Sequence, residues 1–126
     1  MATKLNLNSS RQYPLTAVQH ISFDNFDGTL GLDVMKLPRD AIIVSGSINV
    51  TTAFDATRTI SIGDGTTAAL YGDIDVATVG VKPLTLTGKP SDKVKLVATA
   101  SGALTKGAGY LIVTYVLPNR GNEAQP

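Results

Sequence analysis

Cysteine and tryptophan are absent from this 126-residue chain, and histidine occurs once, at His20. Without thiols there are no disulfides, no thiolate metal ligands and no cysteine nucleophile. A single imidazole excludes a multi-histidine metal site within one chain. Charge is scarce as well. Only 17% of residues are charged and the net charge is +1, which leaves no electrostatic footprint for nucleic acid or an anionic membrane. No apolar run approaches a membrane span, and the opening MATKLNLNSSRQYPL lacks the apolar core and cleavage site of a signal peptide. The chain is therefore expected to be made in a cytoplasm. Helical periodicity is missing too, since no segment carries an apolar stripe of ordinary helix length.

What is present is a 43% hydrophobic composition with little charge, as in a protein that covers part of its apolar surface with other subunits. The length fits one domain able to bury roughly two-thirds of its unfolded surface. The organising stretch is Leu37 to Asp64, LPRDAIIVSGSINVTTAFDATRTISIGD. Ile42, Val44, Ile48, Val50 and Phe54 share one parity, which predicts a strand with one apolar face. Gly46 interrupts that row, marking a bulge or a close backbone approach. Beyond a short connection, Ile60 and Ile62 resume the alternation, so a two-strand unit with a continuous buried face is expected.

The flanking segments read the same way. Ala17, Ile21 and Phe23 oppose Val18, His20 and Ser22 in a first strand. Asn25-Phe26-Asp27-Gly28 then predicts a hairpin turn into a return strand carrying Leu30, Leu32 and Val34. Leu37-Pro38-Arg39-Asp40 ends that strand, because proline cannot donate to a ladder. After the Gly63-Asp64-Gly65 turn, Ala68 to Tyr71 suits a helical turn or a brief strand equally. Asp73 to Thr78 reads as a short strand or turn, Gly80 to Pro83 as a connection, and Leu84 to Thr87 as strand-like. Val94, Leu96 and Ala98 alternate with Lys93, Lys95 and Val97. Ala108 to Val116 is apolar on both parities, as a central or interface strand would be.

About eight β-branched runs separated by turn signals argue an all-β fold, an antiparallel β-sandwich for which a jelly roll is the expected form; a plain sandwich of another topology stays open, because sequence does not fix strand order. Residues 1–14 are expected to form an extended N-terminal arm, 15–117 the sandwich domain, and 118–126 a short polar tail.

Candidate chemistry is thin. His20 lies opposite the Ile21 and Phe23 face and reads as a surface or interface side chain. No Gly-x-Ser-x-Gly elbow accompanies the many serines. Asp55, Asp64, Asp73 and Asp75 would suit Ca²⁺ if they converged. Their spacing matches no calcium loop, however, and capping of turns is the preferred reading. Asp73 and Asp75 also lack the aromatic platform that a glycosidase would set beside them. Gly88-Lys89-Pro90-Ser91 fails as a phosphate loop, because Pro83 stands where the first glycine belongs. Lys82, Lys89, Lys93 and Lys95 cluster in sequence and read as protection of a strand edge. Neither catalytic residue, cofactor nor metal is expected.

The stretch from the proline turn through AIIVSGSINVTTAFD and TISIGDGTTAALYGDID resembles small structural proteins of tailed bacteriophages, mainly capsid decoration (cement) and head-fibre base proteins. The resemblance covers Leu37 to Asp75, with weaker similarity at Gly109 to Val116. It implies a virion protein on the capsid exterior that bridges major capsid protein subunits, with a homotrimer as the implied oligomer. Leu5, Leu7 and Tyr13 of the arm, with Tyr110 and Ile112 of the closing strand, are the expected capsid or oligomer contacts. A head-fibre base or a tail or vertex adaptor is the alternative. A carbohydrate-binding sandwich is a minor third.

Overall fold

The computed structural model describes residues 13–26, 31–67, 69–88 and 95–117. Its strands are β1 (Leu15–Ser22), β2 (Gly31–Lys36), β3 (Ile42–Thr52), β4 (Thr59–Gly63), β5 (Asp73–Asp75), β6 (Gly80–Pro83), β7 (Lys95–Ala100) and β8 (Ala108–Val116). One sheet has the order β1-β8-β3-β6 and the other β2-β7-β4-β5, with every pairing antiparallel. Except for β4 to β5, each strand hands the chain to the opposite sheet. That is the strand order of a jelly roll, so the expected all-β sandwich is the fold observed. β1 lies over β2 on one side of the sandwich and β6 over β5 on the other.

The core lies between the sheets. Ile21, Ile48, Val50, Leu111 and Val113 enter it from the first sheet, and Ile60, Ile62, Leu96, Ala98 and Ala100 from the second. Each large aliphatic side chain fully removed from water contributes about 1.5–3 kcal/mol. The alternation in β7 and the inward row of β8 are as the sequence pattern requires.

Several expectations are corrected. β3 and β4 do not pair. They belong to different sheets, and their apolar faces meet across the core. Val44 does not share the buried row either. A register shift between Ile43 and Ser45 resets the parity, burying Ile43 (6% exposed) and turning Val44 (48% exposed) outward. Gly46, just past the bulge, is the site of close approach. A Cβ there would stand 2.7 Å from Leu84 Cδ1.

The expected β1–β2 hairpin is also absent. β1 pairs with β8 and β2 with β7. A 3-10 turn, Phe23–Phe26, drops Phe26 into the core and starts the crossing between sheets. Gly80 to Pro83 is an edge strand on β3 rather than a connection. Conversely, Leu84 to Thr87 is not a ladder strand. Leu84 N–H donates to Gly46 C=O and Thr85 N–H to Tyr71 C=O, and residues 84–87 belong to neither sheet among the described residues. Of the Ala68 to Tyr71 piece, Ala68 lies outside the described residues; from Ala69 to Tyr71 the chain forms turns, with Leu70 N–H bonded to Thr67 C=O and Gly72 N–H to Ala69 C=O.

Candidate interaction surface

The two outward faces of the sandwich differ in chemistry, and register decides what each displays. On the β1-β8-β3-β6 sheet, three rungs run across neighbouring strands. His20, Tyr110, Asn49 and Val81 form one. Val18, Ile112, Ser47 and Pro83 form the next, and Thr16, Thr114 and Ser45 the third. Not one of these side chains is Lys, Arg, Asp or Glu. Val18 is 59%, Val81 68% and Tyr110 41% exposed, with Ile112 half-buried between them. The polar members are held in place: the His20 and Tyr110 rings meet edge to face at 5.1 Å. Thr16 and Thr114 hydroxyls lie 3.1 Å apart, and Ser47 Oγ donates to Asn49 Oδ1 at 2.9 Å.

The opposite face, on β2-β7-β4-β5, is charged. Lys95 Nζ pairs with Asp33 at 3.3 Å, the Ser61 hydroxyl donates to Asp73, and Asp75 stands opposite Thr59. Water solvates such a face well. Removal of an uncharged face bearing Tyr and aliphatic groups from water costs little, which is the composition found at the centre of protein interfaces.

Tyr110 and Ile112 lie on adjacent rungs of this one uncharged face. Tyr13 is 64% exposed just ahead of β1 and lies outside those rungs, while Leu5 and Leu7 fall outside the described residues. Sequence reading missed Val18 and Val81 as companions of Tyr110. For Val18 the available signal was a large β-branched residue on the polar parity of its segment; Val81 lies in a segment read as a connection and carried none. The pairing that aligns them joins residues about as distant as the chain allows, as in Leu15 with Tyr115.

The aspartates do not converge. Asp64 Oδ1 accepts the N–H groups of Thr66 and Thr67 at 2.9 Å, and Asp75 Oδ1 accepts that of Ala77 at 2.9 Å. These are turn caps, in which a carboxylate bonds backbone N–H groups two or three residues on. Among the described residues no group of three His, Cys, Asp or Glu side chains is placed to hold a metal ion. Of the four lysines grouped in sequence, Lys82 bonds Thr78 Oγ1 on one sheet and Lys95 pairs with Asp33 on the other, so these two form no common patch. Lys89 and Lys93 lie outside the described residues. A cleft of about 290 Å³ opens between β1 and β2, bordered by Gln19, Val34, Met35 and the Asp33–Lys95 pair.

Asp55 ties the β3–β4 connection to the β7–β8 loop. Its carboxylate accepts the Thr105 hydroxyl at 2.5 Å and the Thr105 N–H at 2.6 Å. The Thr105 hydroxyl bond, then its N–H bond, hold the carboxyl below its ordinary value of 3.8. A depressed folded-state pKa means that the unfolded chain takes up the proton first. The stabilisation is thus complete above 3.8 and is lost as pH falls through the lower folded value. Asp55→Asn is expected to lower the melting temperature near neutral pH, with the gap to wild type closing on acidification below 3.8. Thermal melts across that range check it, and a gap independent of pH would refute the assignment.

No protein-family model and no curated protein sequence matches the chain. Among solved structures, it is similar to a chain of the cyanophage Pam1 capsid asymmetric unit, with a TM-score of 0.67 and 18% identity. The match covers 94% of this chain and 92% of that one. At this identity the likeness establishes a common fold over almost the whole length of both.

Proposed function

We propose that this chain is a non-enzymatic structural protein of a phage virion that binds the outside of the capsid and bridges neighbouring major capsid protein subunits. The observation that carries the reading is the end-to-end likeness in fold to a chain of a phage capsid asymmetric unit. The uncharged face bearing Val18, Tyr110, Ile112 and Val81 supplies a surface for the contact. The physics is linkage: a protein that binds assembled shells and not free subunits stabilises the shell at each site by RT ln(1 + [L]/Kd), which grows with the free concentration of the protein relative to its dissociation constant. Many copies of a modest interface then add up through multivalency. The N-terminal arm with Leu5 and Leu7 is proposed as a second contact that adds a strand or lies along a seam.

The test is sedimentation of the purified protein with shells that lack it, with bound copies counted by mass spectrometry. Saturable binding at hundreds of copies and a raised shell melting temperature are expected of a bridging protein. A dozen copies or fewer would transfer the role to a vertex, fibre-base or tail position, and no binding would end the proposal. Tyr110→Glu is expected to weaken shell binding by about 10- to 30-fold, the range for an interfacial tyrosine, and to leave the fold intact because the ring is on the outer face. Unchanged affinity in that variant would remove this face from the contact. Alanine at Leu5 and Leu7 tests the arm in the same assay.

A further inference from the structure

Of the four sheet edges among the described residues, three carry devices that block pairing with another chain. β2 has a register shift between Asp33 and Met35 and charged side chains at Asp33 and Lys36. β5 is three residues long with an aspartate at each end, and β6 is four residues long with Lys82 and Pro83. β1 has none of these. It runs for eight residues, LTAVQHIS, without charge, Gly or Pro, and pairs with β8 without a register shift.

The free side of β1 has defined limits. Phe23 N–H turns toward β8's end and donates to Gly107 C=O at 3.1 Å, whereas Ser22 N–H turns away and donates to Asn25 Oδ1 at 2.8 Å. The backbone groups of odd-numbered β1 residues therefore face β8, and those of Thr16, Val18 and His20 face outward. Leu84 N–H donating to Gly46 C=O fixes the same phase from the far edge of the sheet. At one end of the outward row Ser22 N–H is already occupied by Asn25. At the other end Pro14 has no N–H to offer. Val18 is midway between them.

We propose that β1 pairs antiparallel with β1 of a second copy of this chain, about a two-fold axis at Val18. The register places Val18 opposite Val18 and Thr16 opposite His20 of the partner, and no charge meets a like charge. Because the outward residues are the ones that pair, about six backbone hydrogen bonds form in this window. The Gln19 side-chain amide, which bonds His20 C=O at 3.2 Å, is displaced by the incoming N–H of Thr16. Two four-stranded sheets then become one of eight strands, and the uncharged faces of both copies become continuous. One edge satisfied by its own copy closes a dimer, an isologous arrangement. It does not generate the trimer implied by the resemblance. The inference does not depend on capsid binding, and its test contains no shell.

Sedimentation equilibrium of the full chain at micromolar concentrations is expected to give twice the chain mass of 13.1 kDa. Val18→Lys sets two ammonium groups against each other at the axis, and Val18→Pro removes an N–H that the monomer does not use, as edge strands tolerate. Both variants are expected at the monomer mass with unchanged far-UV circular dichroism, while Val81→Lys on the opposite edge remains dimeric. Should the proline variant not fold, the lysine variant decides. Because the native chain has no cysteine, a short bis-maleimide should link Val18→Cys into a covalent pair and leave Val81→Cys single. A monomeric or trimeric wild type, a dimeric Val18→Lys, or linkage at Val81→Cys alone would overturn the proposal.

Discussion

Gly107→Ala should destabilise the fold by at least about 3 kcal/mol, more than any surface change in the molecule. Two costs coincide there. Gly107 has a φ of 121°, a region open in practice only to glycine. A Cβ would also stand 2.4 Å from Phe54 Cγ and 2.8 Å from Phe54 Cα, so the clash involves backbone as well as a movable ring. Gly107 is buried, and its carbonyl accepts the Phe23 N–H that seats the start of the sheet crossing. Urea unfolding followed by circular dichroism measures the loss. A change below about 1 kcal/mol would mean that the loop before β8 can relax, against the packing described.

Phe54→Ala is expected to cost about 3–5 kcal/mol, the range for a buried phenylalanine that leaves a cavity. Phe54 is 2% exposed and is the largest of the most deeply buried side chains. It sits where the chain leaves β3 for the other sheet, with its N–H bonded to Val76 C=O at 2.9 Å. The ring thus packs the end of the sandwich where the β3–β4 connection meets the loop before β8. Phe54→Leu should cost distinctly less, because much of the volume is kept. The two sites touch, so their effects should not add. In the Phe54→Ala background the ring no longer opposes a Cβ at position 107, and Gly107→Ala should cost less than in wild type. Additive losses would show that the backbone conformation, rather than the ring contact, carries the whole penalty at Gly107.

Much of the fold was legible because strands advertise themselves locally. Leu96, Ala98 and Ala100 alternate inward along β7, and Ile60 and Ile62 along β4, as one-face burial demands. The capping aspartates were legible for the same reason, since Asp64 and Asp75 bond N–H groups two or three residues away. Failures occurred where a local signal met a distant one. Asp27-Gly28 satisfies the rule for a hairpin turn, yet the strands on either side found better partners in β8 and β7. Val44 has the parity of Ile48, but the bulge against Thr114 and Tyr115 turns it to solvent. Val81 sat among turn residues and became part of a strand only because β3 offered it an edge.

By itself, then, the sequence determined that the chain is built of strands, which side of most of them is apolar, and where turns are capped. These depend on the pleat of one strand and on bonds within a few residues. Tertiary structure alone decided which strands pair, which edge is left open, and which outward side chains share a rung. Tyr110 is a neighbour of His20 and Asn49, and Val18 of Ile112, only after segments some sixty to ninety residues apart are brought into register. Pairing of that kind is a property of two distant segments and of the core they enclose, so no local pattern in either one records it.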